Sequence, residues 1–248
     1  MTSLTNCLYK SIYNVCSYGN SRDIRDRDWI YYCLAALGTL TLEFKHMCNT
    51  RFNSLYASGV VHYYGLNPTE ISSEQAEFVP LLLIHGKWHN QGVWFSIART
   101  FQEKGIKNPL FSINVEDSEM PTSRDYEIIE KKFDEIKQLY ASHTKTALKI
   151  SLCGYSRGGL VAYYFAQGPY CIPRDDVDRV MMIGAPPMPS VNGSLEKKVY
   201  RITAKFDLMI PLNPICTYIN GEIMLPVGHL ELPYSRECHS TIAELIQS

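Results

Sequence analysis

From residue 79 onward the chain alternates short, almost unbroken apolar runs with longer stretches of helical periodicity, and this restricts the fold more than any other feature. The runs are Val79 to Ile84, Leu110 to Val115, Leu148 to Cys153, Val177 to Ile183, Val199 to Thr203 and Ile223 to Val227. Consecutive apolar positions suit strands covered on both faces, as in a parallel sheet, whereas a strand with one wet face alternates apolar with polar. The helical stretches between them are Val93 to Lys104, Arg124 to Ser142, Leu160 to Gln167 and Ser235 to Gln247. In the second, Tyr126, Ile129, Phe133, Ile136 and Leu139 form one apolar stripe, with Lys and Glu on the opposite face. The expected fold class is α/β: a mainly parallel sheet of about six strands flanked by helices.

Residues 1–78 do not join this alternation. They are rich in aromatic residues, with helix expected between Asp28 and Tyr63 and a loop from Asn67 to Gln75. One helix pair offers too little apolar surface to stand alone, so 1–78 is expected to be a helical extension packed on a 79–248 domain. Its most apolar stretch, Trp29 to Phe44, is flanked by Arg25-Asp26-Arg27-Asp28 and Lys45 and contains Thr39, Thr41 and Glu43. It falls short of the roughly 20 residues a bilayer span needs, so a buried or capping helix is the first expectation and in-plane membrane contact through 29–44 the second.

The formal charge is −1 with no long basic run, which excludes an electrostatic footprint for nucleic acid. The eight cysteines, at 7, 16, 33, 48, 153, 171, 216 and 238, contain no C-x-x-C pair, and one lies inside an expected strand. Free buried thiols and a reducing, cytoplasmic setting follow as the expectation. Met1 to Asn20 has Lys10 in its middle and no unbroken apolar core, unlike a signal peptide; export by a route that reads no such signal stays open.

Gly154-Tyr155-Ser156-Arg157-Gly158 joins an apolar run to a helical stretch and so places a serine on a strand-to-helix corner. Such a corner forces its central residue toward positive φ and needs neighbours without Cβ, which Gly154 and Gly158 supply. The helix start would aim the N–H of Arg157 at an oxyanion. A serine hydroxyl needs a base, and the base a carboxylate, both from the same sheet edge. His229 and Asp207 follow expected strands, in the order Ser, Asp, His, with Glu231 the weaker alternative acid. His239 falls inside the last helix, His46, His62 and His143 belong to helices or surface segments, and Asp175, Asp176 and Asp178 precede a strand at the opposite edge. A second oxyanion donor is expected from the N–H of Lys87, where Gly86 lets the chain turn back toward the serine. His85 reads as structural, and Trp88, His89 and Asn90 as pocket lining.

The segments L-L-L-I-H-G at 81–86, C-G-Y-S-R-G-G at 153–159 and P-V-G-H-L-E-L-P-Y-S at 226–235 resemble the motifs of α/β-hydrolase lipases and esterases, particularly small lidless bacterial lipases. I-G-A-P-P-M-P at 183–189 is similar to a further lipase segment. The resemblance spans about 79–248 and implies Ser156 as nucleophile, Asp207 and His229 as its partners, and Lys87 and Arg157 as oxyanion donors. The expected activity is hydrolysis of a carboxylic ester through an acyl-enzyme, an acyl lipid ester being the first expectation for the substrate, and this chemistry requires no cofactor or metal. Thioester hydrolysis, acyl transfer with the same residues, or a silent fold that binds a lipid or protein partner are the alternatives. The bulky Lys87-Trp88-His89 and the Arg157 after the serine depart from the common pattern.

Overall fold

The computed structural model describes residues 65–144, 147–168, 172–186, 195, 198–207, 209–210 and 221–248. The apolar stretch 29–44 and most of the expected extension lie outside the described residues. The six expected strands are present as β1 (Leu81–Ile84), β2 (Leu110–Ile113), β3 (Ile150–Tyr155), β4 (Val177–Ile183), β5 (Val199–Phe206) and β6 (Gly221–Gly228). They form one sheet in the order β2-β1-β3-β4-β5-β6, every pairing parallel. The four helices described are α1 (Phe95–Glu103), α2 (Ser123–Tyr140), α3 (Arg157–Gln167) and α4 (Arg236–Gln247).

Alternate strand residues feed two cores. Leu82, Ile84, Phe111, Ile113, Ile150, Leu152, Val180 and Met182 meet the apolar stripes of α2 and α3, while Leu81, Leu83, Cys153, Met181 and Ile183 meet those of α1 and α4. Both faces are therefore dry, which is why the strand sequences are apolar at successive positions. Cys153 and Cys238 are free thiols in the second core; burial raises both, Cys238 to about 12.

Chain order reverses at β1. The connection through α1 runs to β2 on one side, and the connection through α2 returns to β3 on the other, so the carboxyl ends of β1 and β3 open beside each other at a switch point. Local signals fix the helix starts that frame this crevice. Thr122 and Asp125 form a reciprocal capping box on α2, and Ser235 caps α4 by accepting from the Cys238 N–H. The expected helix at Val93 instead opens as a 3-10 turn, Gln91–Trp94, before α1 begins. Residues 65–78 lie against the sheet edge: Leu66 bridges Leu110, and the Asn67 side chain bonds the N–H and Oγ of Ser112.

Candidate active site

β3 runs two residues beyond its expected end because Gly154 pairs with both Ile84 and Met182, and Tyr155 pairs with Ile183. The chain then turns at Ser156, whose backbone has φ +52° and ψ −121°. This region is disfavoured for a residue with a Cβ. The corner is held by the Ser156 N–H donating to Ile183 O at 2.7 Å and the Gly159 N–H donating to Ser156 O at 3.0 Å. No side chain fits at its flanks. A Cβ on Gly154 would lie 2.1 Å from Gly158 O, and one on Gly158 would lie 2.3 Å from Ile84 O. Ser156 occupies the cap position of α3 yet makes no capping bond, which leaves its hydroxyl available.

The hydroxyl meets a histidine. Ser156 Oγ lies 3.2 Å from His229 Nε2, and His229 Nδ1 lies 2.7 Å from Asp207 Oδ2. β5 and β6 extend further than expected, to Phe206 and Gly228, so Asp207 and His229 follow the ends of neighbouring strands directly. The other Asp207 oxygen accepts the N–H groups of Met209 and Ile210 at 3.0 and 2.7 Å, which orients the carboxylate toward the ring. Tyr155 Oη donates to His229 O at 3.3 Å, and the two rings lie 5.2 Å apart. Asp207 and His229 are buried, whereas Ser156 is half-buried.

Glu231, the alternative acid, accepts the Gly228 N–H at 2.7 Å as part of the turn after β6. His239 is buried between α1 and α4, its Nε2–H donating to Pro233 O at 2.9 Å and its Nδ1 lying 3.0 Å from Thr100 Oγ1; burial lowers its pKa. His143 lies in the turn after α2, and His46 and His62 are outside the described residues. Asp176 and Asp178 form ion pairs with Arg174, Lys137 and Arg179 near the strand starts.

Beside Ser156 the chain leaving β1 turns at His85-Gly86. Neither the Lys87 N–H nor the Arg157 N–H donates to another described residue. The Gly86–Lys87 peptide is gripped from its oxygen side, where Gly86 O accepts from His85 Nδ1–H at 2.8 Å and from the His89 N–H at 3.2 Å. His85 Nε2 accepts the Val115 N–H at 3.1 Å, which fixes the Nδ1–H tautomer, and burial lowers the pKa so that the ring stays neutral. The residues expected to line a pocket divide. Trp88 is 44% exposed with φ +62°, the His89 ring stands edge-on to Tyr155 at 5.4 Å, and Asn90 Oδ1 caps the Gln91–Trp94 turn through the Gly92 N–H.

The side-chain contacts of two residues escaped the sequence. Arg157 is 4% exposed, and its Nη2 donates to Met120 O, Ser118 Oγ and the buried Asp125 carboxylate. Tyr155 spans His89 and His229. Nothing in the spacing ties Asp125 to a residue 32 positions away.

No family model matches the chain, and no curated protein sequence matches it. Solved structures do match. Lipase B of Aspergillus fumigatus is 13% identical, with 73% of this chain and 55% of that one covered and a TM-score of 0.51. A membrane phospholipase A described as a bacterial virulence factor is 12% identical over 85% of this chain and 97% of its own, with a TM-score of 0.47. An extracellular α/β-hydrolase from a Paenibacillus species is 15% identical over 68% and 97%, with a TM-score of 0.42. At such identities the likeness is one of fold. With six parallel strands in the order 2-1-3-4-5-6 and a strand-to-helix corner at the β1/β3 switch point, the chain has the α/β-hydrolase fold.

Proposed function

We propose that the protein is a serine hydrolase that cleaves a carboxylic ester, an acyl or lipid ester in the first instance, through an acyl-enzyme. The observation that carries this reading is the continuous path from Ser156 Oγ to His229 Nε2 at 3.2 Å and from His229 Nδ1 to Asp207 at 2.7 Å, on a strained corner at the sheet's carboxyl edge. Ser156 Oγ attacks the carbonyl carbon while His229 Nε2 takes its proton, and Asp207 stabilises the imidazolium and holds its tautomer. The oxyanion is received by the N–H groups of Lys87 and Arg157. Collapse expels the alcohol, protonated by His229, and water attacks the acyl-enzyme with the same base. Thioester hydrolysis and acyl transfer would use the same residues and differ only in leaving group or acceptor.

The test is labelling with a fluorophosphonate followed by turnover of p-nitrophenyl acyl esters of graded chain length. Wild type should be labelled at Ser156 and Ser156→Ala should be inert, while Asp207→Asn should lower kcat by roughly 10³–10⁴-fold. Folded Ser156→Ala with wild-type turnover would refute the mechanism, and a folded wild type that neither labels nor turns over would favour a silent, ligand-binding fold.

A further inference from the structure

The residue after the serine carries a second structural assignment. Its backbone N–H is a proposed oxyanion donor, and its side chain lies beneath the connection between β2 and α2. There Arg157 Nη2 donates to Met120 O at 3.0 Å and to Ser118 Oγ and Asp125 Oδ2. Asp125 in turn accepts the Glu116 N–H at 3.0 Å through Oδ1 and the Thr122 N–H at 2.8 Å through Oδ2. Residues 116–122 are thereby fixed at both ends and in the middle.

The same connection reaches the loop that leaves β1. Asp117 Oδ1 accepts the Trp88 N–H at 3.0 Å, Glu119 pairs with Lys87 Nζ, and Asn114 Oδ1 accepts the Gln91 N–H at 2.8 Å. Trp88 has φ +62°, a left-handed conformation that a bulky aromatic residue adopts only when its surroundings hold it there.

We propose that Arg157, Asp125 and Asp117 form a strap that positions the oxyanion loop: Arg157 anchors residues 116–120, and Asp117 anchors the Lys87–Trp88 peptide, setting the two oxyanion N–H groups relative to each other. The functional part of this proposal rests on the esterase reading; the mechanical part does not. Stability alone is a poor reason for a buried arginine here. Its buried Nε and Nη1 have no hydrogen-bond partner among the described residues, whereas an apolar side chain of similar volume would leave no such groups unmade. The guanidinium fork is suited instead to holding several loop acceptors in one geometry.

The strap is tested on the full chain with p-nitrophenyl butyrate and by amide hydrogen exchange. Asp117 is exposed, so Asp117→Ala should fold. It should lower kcat by about 10–100-fold and move KM by less than about 3-fold, because a loosened oxyanion donor is felt in the transition state. Asp117→Asn keeps an oxygen for the Trp88 N–H and should recover kcat to within about 3-fold of wild type. Arg157→Met combined with Asp125→Asn avoids stranding a buried carboxylate. It should speed exchange at the Trp88 amide, which neither residue touches, and adding Asp117→Ala to it should cost less than about a further 3-fold in kcat. Wild-type kcat in Asp117→Ala, fully multiplicative losses, or unchanged Trp88 exchange would each overturn the strap. An inert wild type would refute the esterase reading while the exchange measurement still decides the mechanical coupling.

Discussion

The Ser156 backbone, at φ +52° and ψ −121°, stores strain that can be measured by comparing two variants that lack the hydroxyl, Ser156→Ala and Ser156→Gly. Both delete the hydroxyl and with it the 3.2 Å contact to His229, so that loss cancels between them. Alanine keeps the Cβ that makes this conformation costly, by about 1–3 kcal/mol, whereas glycine visits positive φ freely. Against this, glycine gives the unfolded chain extra freedom, which removes about 0.4–1 kcal/mol of the advantage. The lost methyl removes less than about 0.8 kcal/mol more, since the site is half-buried. The balance leaves Ser156→Gly more stable than Ser156→Ala by about 1 kcal/mol, which is about 2–4 °C in Tm for a domain of this size. Paired urea and thermal melts at neutral pH read the difference directly. Equal midpoints, or a more stable alanine variant, would show that the corner is not strained in the way the dihedrals imply.

Gly158→Ala should be strongly destabilising, by about 3 kcal/mol or enough to prevent soluble expression, because its Cβ would lie 2.3 Å from Ile84 O and 2.4 Å from His85 O, backbone atoms that cannot step aside. Gly221→Ala, whose Cβ would meet only Tyr200 Cδ1 at 3.6 Å among the described residues, is the matched control and should change urea stability by less than about 0.5 kcal/mol. Burial lowers the pKa of His85, so the unfolded chain binds the proton first: stability should be full above the ordinary value of about 6.5 and fall as pH drops below it toward the folded-state value. His239 contributes in the same direction, so His85→Gln should show a shallower loss between pH 7 and 5 rather than none, and parallel stability curves would contradict the assignment.

What could be read from the chain follows from how local each signal is. β4 matched its expected range, Val177–Ile183, because Arg174-Asp175-Asp176 and Gly184 punctuate the apolar run on both sides. β3 and β5 are expected from the sequence to stop at Cys153 and Thr203, yet pairing with β4 carries β3 on to Tyr155 and pairing with β6 carries β5 on to Phe206. Those extra residues bring Ser156 and Asp207 to the sheet edge at one level. The two histidines separate for a local reason: His239 falls on the buried face of α4, whereas His229 opens the turn after β6. The strap could not be read, because Arg157 to Asp125 and Trp88 to Asp117 are contacts between segments about 30 residues apart, with no periodicity to announce them.

The juxtaposition of Ser156 and the loop leaving β1 is in the end a matter of missing side chains. A Cβ on Gly86 would lie 3.0 Å from the Ser156 Cβ and 3.0 Å from Tyr155 O, while one on Gly158 would run into Ile84 O and His85 O. The turn after β1 and the turn after β3 thus press together from both directions, and the contact demands glycine at 158 and leaves little room for a Cβ at 86. Parallel pairing of β1 with β3, Ile84 opposite Gly154, brings the two turns to that distance. Were β1 paired one residue out of register, its alternate side chains would exchange faces and the N–H of Lys87 would shift by about 3.3 Å along the strand, out of reach of an oxyanion built on Ser156. Because both faces of β1 are apolar, Leu81 to Ile84 do not by themselves fix that register; the close fit of the two turns, Gly86 against Ser156 and Tyr155 and Gly158 against Ile84 and His85, is what a slip would break.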